Sequence, residues 1–398
     1  AALYPFFVHS TTLDYGNLFL LFLILGVNGV LEFYTLAKYR ALLTADQKTW
    51  VISLANMVQI ILNVIIIGSL AYAGFSIVIV RAAAVGAIFI RTFLLWKYCR
   101  DHYDFLDFTV PPNNNAMSQR WDALYLQVLG AIHQGGPILI ATFLLSLLDV
   151  SIYAIFNLVI LGLNAILGIF MTGLTSGFGD LIARGEKEAF QKAFNEFEFI
   201  YTIGITIIYG TMFFVYQPFI SLYTKGSDIS YYYPIFAFLM TLNGFAYNIK
   251  NPFGMLVISA GKYKETRLPT TIQGAIELIG GIVLSLIWGL NGLVLGSLLS
   301  NLYRDIEFLF FSPRHLTHMA IGHTVKLWIV NTLVIGLAAG ISTFLWLPSI
   351  GNFLQWVLFA AGLCLFFSLL VILVNALLFR DLAHSTWDRL MNIVKRRN

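Results

Sequence analysis

The sequence predicts an all-α polytopic membrane protein with about eleven transmembrane helices. Hydrophobic residues make up 59% of the 398 residues and charged residues only 11%, whereas soluble domains contain about 25% charged residues. The apolar residues also form continuous runs of about twenty, the length that a helix needs to cross a bilayer core of about 30 Å. A transmembrane β-barrel would instead show short alternating segments, so the helical class is favoured.

Tight turns and polar segments separate the predicted spans. The longest polar segment, residues 97–126, includes the run VPPNNN, and this mixture of proline and asparagine is typical of a linker. The spans predicted from the apolar runs are residues 17–36, 51–73, 75–96, 127–147, 151–173, 198–220, 231–257, 269–288, 291–308, 325–346 and 353–379.

The linker divides the chain into lobes. We predict an N-terminal lobe over residues 1–96, a cytoplasmic inter-lobe linker over 97–126 and a C-terminal lobe of six helices over 127–308. Residues 309–398 would add two transmembrane helices and a basic cytoplasmic tail. The sequence begins AALYPFFVHS, without methionine, and residues 2–8 resemble the end of a span. We therefore expect further N-terminal spans to be missing from this sequence, and three of them would bring the total to about fourteen.

Basic residues are concentrated in alternate loops, and this pattern orients the chain. Loops rich in Lys and Arg face the cytoplasm, whereas the loops on the other side contain only Lys225. The C-terminus is therefore expected to be cytoplasmic. The basic loops and tail contain Lys38, Arg40, Lys48, Lys97, Arg100, Arg120, Arg184, Lys187, Lys192, Lys262, Lys264, Arg267, Arg314, Arg380, Arg389, Lys395, Arg396 and Arg397.

Motifs of soluble enzymes are missing from the sequence. It contains no phosphate-binding GxxxxGK[ST] motif and no HExxH metal motif. His315 and His318 lie three residues apart in a basic loop without nearby Cys or Asp, so an interfacial position is more plausible than a metal site. The two cysteines, Cys99 and Cys364, imply no disulfide framework. We therefore predict a protein that is not an enzyme and uses neither a metal nor another cofactor.

The run SYYYPIFAFLMTLNGFAYNIKNPFGMLVISAG contains a lysine about ten residues from its polar end. Lys250 would lie at membrane depth, where a charge is costly and is usually functional. Pro252 removes a backbone hydrogen bond and is predicted to kink the helix. A kinked span with a buried cation favours a transporter or channel. The alternative is that Lys250 extends its stem to the cytoplasmic headgroups.

Other polar residues inside the predicted spans indicate a positively charged cavity. Cations in both lobes suit an anionic substrate, and a diphosphate would accept hydrogen bonds from Arg and Lys. Glu277 could couple transport to an ion or could form a local ion pair. His133 could make a structural hydrogen bond, Arg91 could reach the interface, and Arg304 could pair with Asp305. The proposed substrate-binding residues are Arg81, Lys250, Arg91, His133, Asn301 and Arg304.

Two further patterns predict packing rather than chemistry. Residues 181–199 place phenylalanines at helical spacing opposite Glu and Lys, which predicts an amphipathic connector lying on the cytoplasmic surface. The pairs Gly173/Gly177 and Gly292/Gly296 permit close contact between helices, although this motif is common in spans.

Three stretches carry a resemblance to a known family. They are AKYRALLTADQKTWVISLANMVQIILNV (37–64), SIYAIFNLVILGLNAILGIFMTGLTSGFGDLIARGEKEAFQKAFNEFEFIY (151–201) and YNIKNPFGMLVISAGKYKETRLPTTIQG (247–274), and SNLYRDIEFLFF (300–311) extends them. The chain resembles the Wzx-type polysaccharide flippases of the MATE-like exporter superfamily. Members of that family usually have about fourteen spans, arranged as two six-helix lobes and two extra helices.

The resemblance implies a function. Such proteins move undecaprenyl-diphosphate-linked oligosaccharide units from the inner to the outer leaflet of the bacterial plasma membrane for surface or capsular polysaccharide synthesis. Lipid tails would stay in the bilayer while the diphosphate meets Arg81 and Lys250, and the lobes would rock by alternating access. The implied partners are this lipid-linked glycan, the bilayer and the polysaccharide polymerase machinery, without nucleic acid. A chain lacking its first three spans is not expected to transport.

Two other functions remain open. An ion-coupled drug or cation antiporter of the same fold would place more acids than bases inside the spans, whereas the sequence suggests the reverse. An integral-membrane glycan polymerase or glycosyltransferase would need a large catalytic loop, and no loop of that length is predicted. Fold alone does not identify the substrate.

Overall fold

The computed structural model describes residues 14–104, 119–344 and 350–397. Residues 2–8, expected to end a span, and residues 105–118 of the predicted linker lie outside this part of the chain. Within it the only regular structure is helical. The helices are α1 (Tyr15–Ala45), α2 (Thr49–Tyr72), α3 (Ile77–Val85), α4 (Ala87–His102), α5 (Arg120–Leu144), α6 (Leu147–Ala183), α7 (Lys187–Tyr223), α8 (Pro234–Ile249), α9 (Asn251–Ser259), α10 (Tyr263–His315), α11 (Gly322–Phe344), α12 (Phe353–Leu378) and α13 (Arg380–Arg397).

The described residues contain nine helices that are long and apolar enough to cross a membrane. Their outer faces carry many exposed large apolar side chains, such as Leu354, Leu358, Leu365 and Leu369 along α12. Soluble monomers rarely expose continuous apolar surface on this scale. These helices indicate an all-α protein embedded in a membrane, which confirms the coarse prediction of fold class and location.

Two features of the helices account for the difference between the nine helices and the eleven predicted spans. The 53-residue α10 contains non-helical backbone at Trp288 and Gly289 and is therefore two helices joined at a turn. Helices α8 and α9 follow each other with an interruption at Lys250, so neither is long enough alone to count as a span. With α10 counted as two arms and α8–α9 as one broken helix, the described chain has about eleven apolar segments.

The chain divides into two compact units, Ala1–Pro112 and Asn113–Asn398. The predicted lobes, the linker of residues 97–126 and the division at residue 308 stay predictions. In the first unit, α1, α2 and α4 share a small apolar core. The core consists of Leu36, Leu43, Val51, Ala55, Leu95, Cys99 and Tyr103.

The second unit is built around α7, which packs against α6, α8, α11, α12 and α13. The apolar core runs along this helix, and the side chains of Tyr209, Tyr216 and Phe194 on it are almost completely buried. Helix α10 packs against α5 and α8. This arrangement places polar residues of α5, α8 and α10 next to each other inside the unit.

The start of α7 corrects one prediction from the sequence. Residues 181–199 were expected to form a connector on the surface, but from Lys187 onward they belong to the continuous helix that ends at Tyr223. Phe190 and Phe194 are buried in the main core. The charged face is exposed at Lys187, Glu188 and Lys192. Further along, α11 and α13 cover it, so both Glu196 and Glu198 are at most 2% exposed.

The two arms of α10 lie against each other through glycines. Gly289 has φ +56° and ψ −134°, a backbone conformation that only glycine adopts readily, and it allows the chain to reverse direction. A Cβ atom at Gly292 would lie 1.9 Å from the carbonyl oxygen of Leu284, and one at Gly296 would lie 2.4 Å from the backbone nitrogen of Gly281. The predicted contact at Gly292 and Gly296 is therefore between two arms of the same hairpin.

Candidate functional site

The interruption between α8 and α9 is the structural centre of the site. Helix α8 ends at Ile249, α9 begins at Asn251, and Pro252 occupies the first turn of α9, where proline is tolerated. The backbone N–H groups of Phe253 and Gly254 both donate to the carbonyl of Lys250, at 3.0 and 3.1 Å. The helix therefore breaks two residues before the proline that was predicted to kink it.

The ammonium of Lys250 is buried at this break and is surrounded by acceptors. It donates to the carbonyl oxygens of Ala246 at 3.1 Å and Tyr247 at 3.2 Å, at the C-terminal end of α8. It also donates to Oδ1 of Asn301 at 2.8 Å and lies 3.6 Å from Oδ1 of Asp305. The helix end favours a positive charge, and Asp305 supplies a compensating carboxylate. Lys250 is thus a partnered cation inside the unit.

Asn301 connects the break to the second arm of α10. Its side chain is 1% exposed. The carbonyl oxygen accepts from Lys250, while Nδ2 donates to Oδ1 of Asn243 at 2.9 Å. The amide therefore orients Lys250 from one side and is itself held by α8.

Arg304, one turn along α10 from Asn301, is also buried and partnered. Its guanidinium donates to Glu307 at 2.6 Å and to the hydroxyl of Thr266. It also lies over the ring of Phe308. The proposed local pair of Arg304 with Asp305 is wrong, because Asp305 points to Lys250 instead. Residues adjacent in sequence point in different directions around a helix.

His133 on α5 and Glu277 on the first arm of α10 form a third partnered pair. Nδ1 of His133 is hydrogen-bonded to Glu277, and the other carboxylate oxygen accepts from Ser297 at 3.3 Å. The imidazole stacks on Tyr247, with centroids 5.6 Å apart. Glu277 is 2% exposed. The local-pair interpretation of Glu277 therefore agrees with the geometry.

An uncharged network beside the break was not found from the sequence. Nδ2 of Asn248 donates to Asn164 at 2.9 Å and to Tyr209 at 2.8 Å, while its oxygen accepts from Tyr201 at 3.2 Å and Asn251 at 3.0 Å. The residues come from four helices. The two asparagines beside Lys250 in the run YNIKNP could have indicated a polar network from the sequence. Only the fold shows that Tyr201 and Tyr209 take part in it, by contacting Asn248.

A cavity of about 200 Å³ brings these elements together. Lys250, Arg304 and His133 all line it, so three of the predicted binding residues share one space within the second unit, and Asn301 contacts Lys250 behind it. The other lining residues are Leu126, Leu129, Gly130, Tyr247, Asn251, Gly254, Thr270, Gln273, Gly274 and Phe308.

The two arginines of the first unit differ from each other. Arg91 is 5% exposed and donates to Glu32 at 3.2 Å and to Gln59 at 3.0 Å, so it is held inside its own unit rather than extended to an interface. Arg81 is exposed and has no partner among the described residues. A contribution of Arg81 or Arg91 to substrate binding stays a prediction.

The balance of buried charge differs from the expectation that bases outnumber acids. In the described part of the second unit, the buried bases are Lys250 and Arg304, whereas four carboxylates are buried. The sequence pattern predicts a surface position for the two acids on α7, Glu196 and Glu198, but both are buried. The buried acids are Glu196, Glu198, Glu277 and Asp305.

The described residues contain no group of three or more His, Cys, Asp or Glu side chains that could hold a metal ion. The donors of the site are ammonium, guanidinium, amide and hydroxyl groups, which suit an anionic or strongly hydroxylated ligand. Comparisons of the chain with protein-family models, with curated proteins and with solved structures found no match.

Proposed function

We propose that the protein is a membrane transporter, and specifically a flippase for undecaprenyl-diphosphate-linked oligosaccharides. The observation that carries the proposal is Lys250, a lysine buried at a helix break and lining a cavity within a membrane-embedded unit. Broken helices and buried ionisable residues are typical of substrate and ion sites in transporters. A passive anchor would gain nothing from burying this cation.

The chemistry of the cavity supports an acidic, hydroxyl-rich substrate. Lys250 and Arg304 supply cationic donors, and Asn251, Gln273 and Thr270 supply neutral donors and acceptors next to them. A diphosphate suits the first group and a sugar suits the second. A cavity of about 200 Å³ is small for a whole repeat unit, so we propose that it receives the diphosphate and first sugar before the transporter opens further.

In this proposal the substrate competes with the protein's own carboxylates. Lys250 lies 3.6 Å from Asp305 and Arg304 lies 2.6 Å from Glu307. An entering diphosphate would replace these partners as the acceptor, and the released carboxylates would then be neutralised by protons. The exchange would keep the buried charge nearly constant, which avoids the large cost of an unpaired ion.

The architecture belongs to the same proposal. We infer a MATE-like arrangement of two lobes and two extra helices, with about fourteen spans in the full-length protein, a cytoplasmic C-terminus and a position in the bacterial plasma membrane. Alternating access of the lobes would carry the substrate across. The polysaccharide polymerase machinery would use the product, and the flippase itself would form and break no covalent bond.

An ion-coupled drug or cation antiporter of the same fold is the second candidate. It is favoured by the excess of buried acids, because Glu196, Glu198, Glu277 and Asp305 are all at most 7% exposed. A cationic drug would bind to such carboxylates rather than to Lys250. The two candidates therefore predict opposite effects on the activity per folded protein when Lys250 is neutralised: loss of activity in a flippase and little loss in a cation antiporter.

Complementation tests the proposal. The full-length gene is introduced into a flippase-deficient strain, and surface glycan and accumulated lipid-linked units are measured. We expect wild type to restore surface glycan and Lys250→Ala to fail. The double variant Lys250→Met/Asp305→Asn, which leaves no unpaired charge, should also fail while reaching the membrane in wild-type amounts. Arg184→Ala, a change at an exposed pair with Asp180, should behave as wild type. Full activity of Lys250→Ala would contradict the proposal. Drug resistance conferred by wild type without glycan export would favour the antiporter.

A further inference from the structure

Glu198 on α7 is a buried carboxyl outside the site described above. Its side chain is completely buried. Oε2 accepts a hydrogen bond from the hydroxyl of Thr324 on α11 at 3.2 Å, but Oε1 has no hydrogen-bond partner. No Lys, Arg or His of the described residues forms an ion pair with it. A carboxylate sealed in an apolar interior without a cation is costly unless something neutralises it.

Polar atoms around Glu198 are also left without partners. Trp328 lies beside the same carboxyl as a second neutral donor, although its indole N–H is outside normal hydrogen-bond geometry. Thr202 lies one turn further along α7, on the same face of the helix, with its side chain fully buried and its hydroxyl unpartnered. Buried polar groups are normally satisfied. Two neutral donors do not compensate a buried negative charge, so the Glu198 carboxyl still needs a positive partner such as a proton.

The charged groups on the surrounding helices are either paired elsewhere or exposed. Glu196 on α7 is paired with Arg389 at 2.6 Å and bonded to Ser385, both on α13. On α11, Lys326 donates to the carbonyl of Leu378 at 3.1 Å. The other titratable groups on these helices are His323 on α11, whose Nδ1 has no partner, and the exposed Arg380, Asp381, His384 and Asp388 on α13. On α6, Asp149 caps the helix with Ser146 and Asp180 pairs with Arg184. Helices α8 and α12 contain no charged residue.

A cavity adjoins Thr324, the hydrogen-bond partner of this carboxyl. It has a volume of about 410 Å³ and is lined by Gln191, Asn195, His323 and Thr324, among others. Thr324 both lines the cavity and donates to Glu198. His323, with a free ring nitrogen, stands next to it. Only the hydroxyl of Thr324 would therefore separate an ion in the cavity from the carboxyl of Glu198.

We propose that Glu198 is a proton-binding site, loaded through the cavity beside His323 and Thr324. The proton would bind Oε1, converting the carboxylate to a neutral acid while Oε2 keeps the bond from Thr324. The new O–H group could donate to the Thr202 hydroxyl. A metal cation fits less well, because hard cations such as Ca²⁺ and Mg²⁺ take about six or more oxygen ligands and the indole N–H of Trp328 supplies none. The site lies where α11 meets α7, so its protonation would control the contact between these helices whatever the substrate.

Infrared spectroscopy of the purified chain in lipid nanodiscs tests the proposal. A protonated buried carboxyl has a C=O stretch separate from the amide bands. We expect wild type to show this band, and to lose it reversibly when the pH is raised. Glu198→Gln should lack the band, and Glu198→Asp should shift it. Glu196→Gln is the matched control, because Glu196 is equally buried but paired with Arg389, and it should keep the band.

Two outcomes would overturn the proposal. A band that persists in a folded Glu198→Gln protein, or that disappears in Glu196→Gln, would assign the proton to another residue. A band in wild type that sodium chloride removes at constant pH, while choline chloride does not, would show a metal-cation site instead. If Glu198→Gln fails to fold, the shift in Glu198→Asp decides the assignment, because that variant keeps the carboxyl.

Discussion

The ammonium of Lys250 lies 3.6 Å from Oδ1 of Asp305, and both side chains are at most 10% exposed. The pair joins the break between α8 and α9 to the second arm of α10. Removing one member of a buried pair leaves an uncompensated charge, whereas removing both does not. The pair is therefore both a structural link and a site where an incoming anion can exchange with an internal carboxylate.

Neutralising one member of this pair should cost more than neutralising both. We expect Lys250→Met and Asp305→Asn each to lower the free energy of unfolding by about 3–5 kcal/mol, and the double variant to lose much less than the sum. Unfolding of the chain in detergent measures this. Asp180→Asn, at an exposed pair with Arg184, is the control and should change stability by less than about 1 kcal/mol. Additive losses would mean that the two residues do not interact.

Arg81 and Arg91 should respond differently to replacement by alanine. Arg81 is exposed and unpartnered in the described chain, so Arg81→Ala should leave the unfolding temperature unchanged and reduce transport only if it binds substrate. Arg91→Ala should destabilise the protein by about 1–3 kcal/mol, because Gln59 and Glu32 lose their donor. Thermal unfolding and glycan export are measured on both variants. Wild-type export by a stable Arg81→Ala protein would remove Arg81 from the proposed substrate site.

Gly296→Ala should separate the two arms of α10. A Cβ at this position would lie 2.4 Å from the backbone nitrogen of Gly281, a contact that side-chain motion cannot relieve. Overpacking of this kind typically costs about 1–3 kcal/mol. Gly340→Ala on α11 is the matched control, because a Cβ atom there would meet no other atom within 4 Å. Equal unfolding temperatures for the two variants would contradict the close approach of the arms.

The loop between α1 and α2 should make stability depend on pH. The Tyr103 hydroxyl donates to Asp46 at 2.6 Å and, together with Lys48, holds the pKa of Asp46 below its usual range. A lowered folded-state pKa stabilises the fold above the ordinary value of about 4, and this contribution is lost as the pH falls through the folded-state pKa. Tyr103→Phe should therefore destabilise the chain at pH 7 and have less effect in acid.

Thermal unfolding at several pH values checks this expectation. Tyr98→Phe serves as the control, because the Tyr98 hydroxyl makes no hydrogen bond in the described chain while its ring stacks on His102. The difference between wild type and Tyr103→Phe should shrink on acidification, whereas the difference between wild type and Tyr98→Phe should stay constant. A pH-independent effect of Tyr103→Phe would show that lost packing, rather than the bond to Asp46, causes it.

The positions of the membrane helices could be predicted because they depend on a local property, the length of an apolar run. Even the turn in α10 was visible as the gap between predicted spans 269–288 and 291–308, and Gly289 lies within it. The lysine at a helix break was likewise visible, because Lys250 interrupts an apolar run next to Pro252. These signals require no knowledge of which helices touch.

The partners of the charged residues could not be predicted in the same way. Arg304 pairs with Glu307 and not with the adjacent Asp305, because the rotation of α10 turns Asp305 toward Lys250 on another helix. The surface position predicted for the Glu and Lys face of residues 181–199, which includes Glu198, is wrong for a similar reason. Alternating charges and phenylalanines are typical of a surface helix, and only the position of α11 shows that this face is covered.

The hairpin of α10 has a consequence for how the chain enters a membrane. Its second arm carries Ser300, whose hydroxyl donates to the carbonyl of Gln273 on the first arm at 2.9 Å, and Ser297, which donates to Glu277. Without the second arm, Glu277 would keep only His133, and the hydroxyls of Ser297 and Ser300 would lose these acceptors. Neither arm is therefore suited to leave the translocon alone, and the first should wait there until the ribosome has delivered the second. The two arms would partition into the bilayer as a single insertion unit.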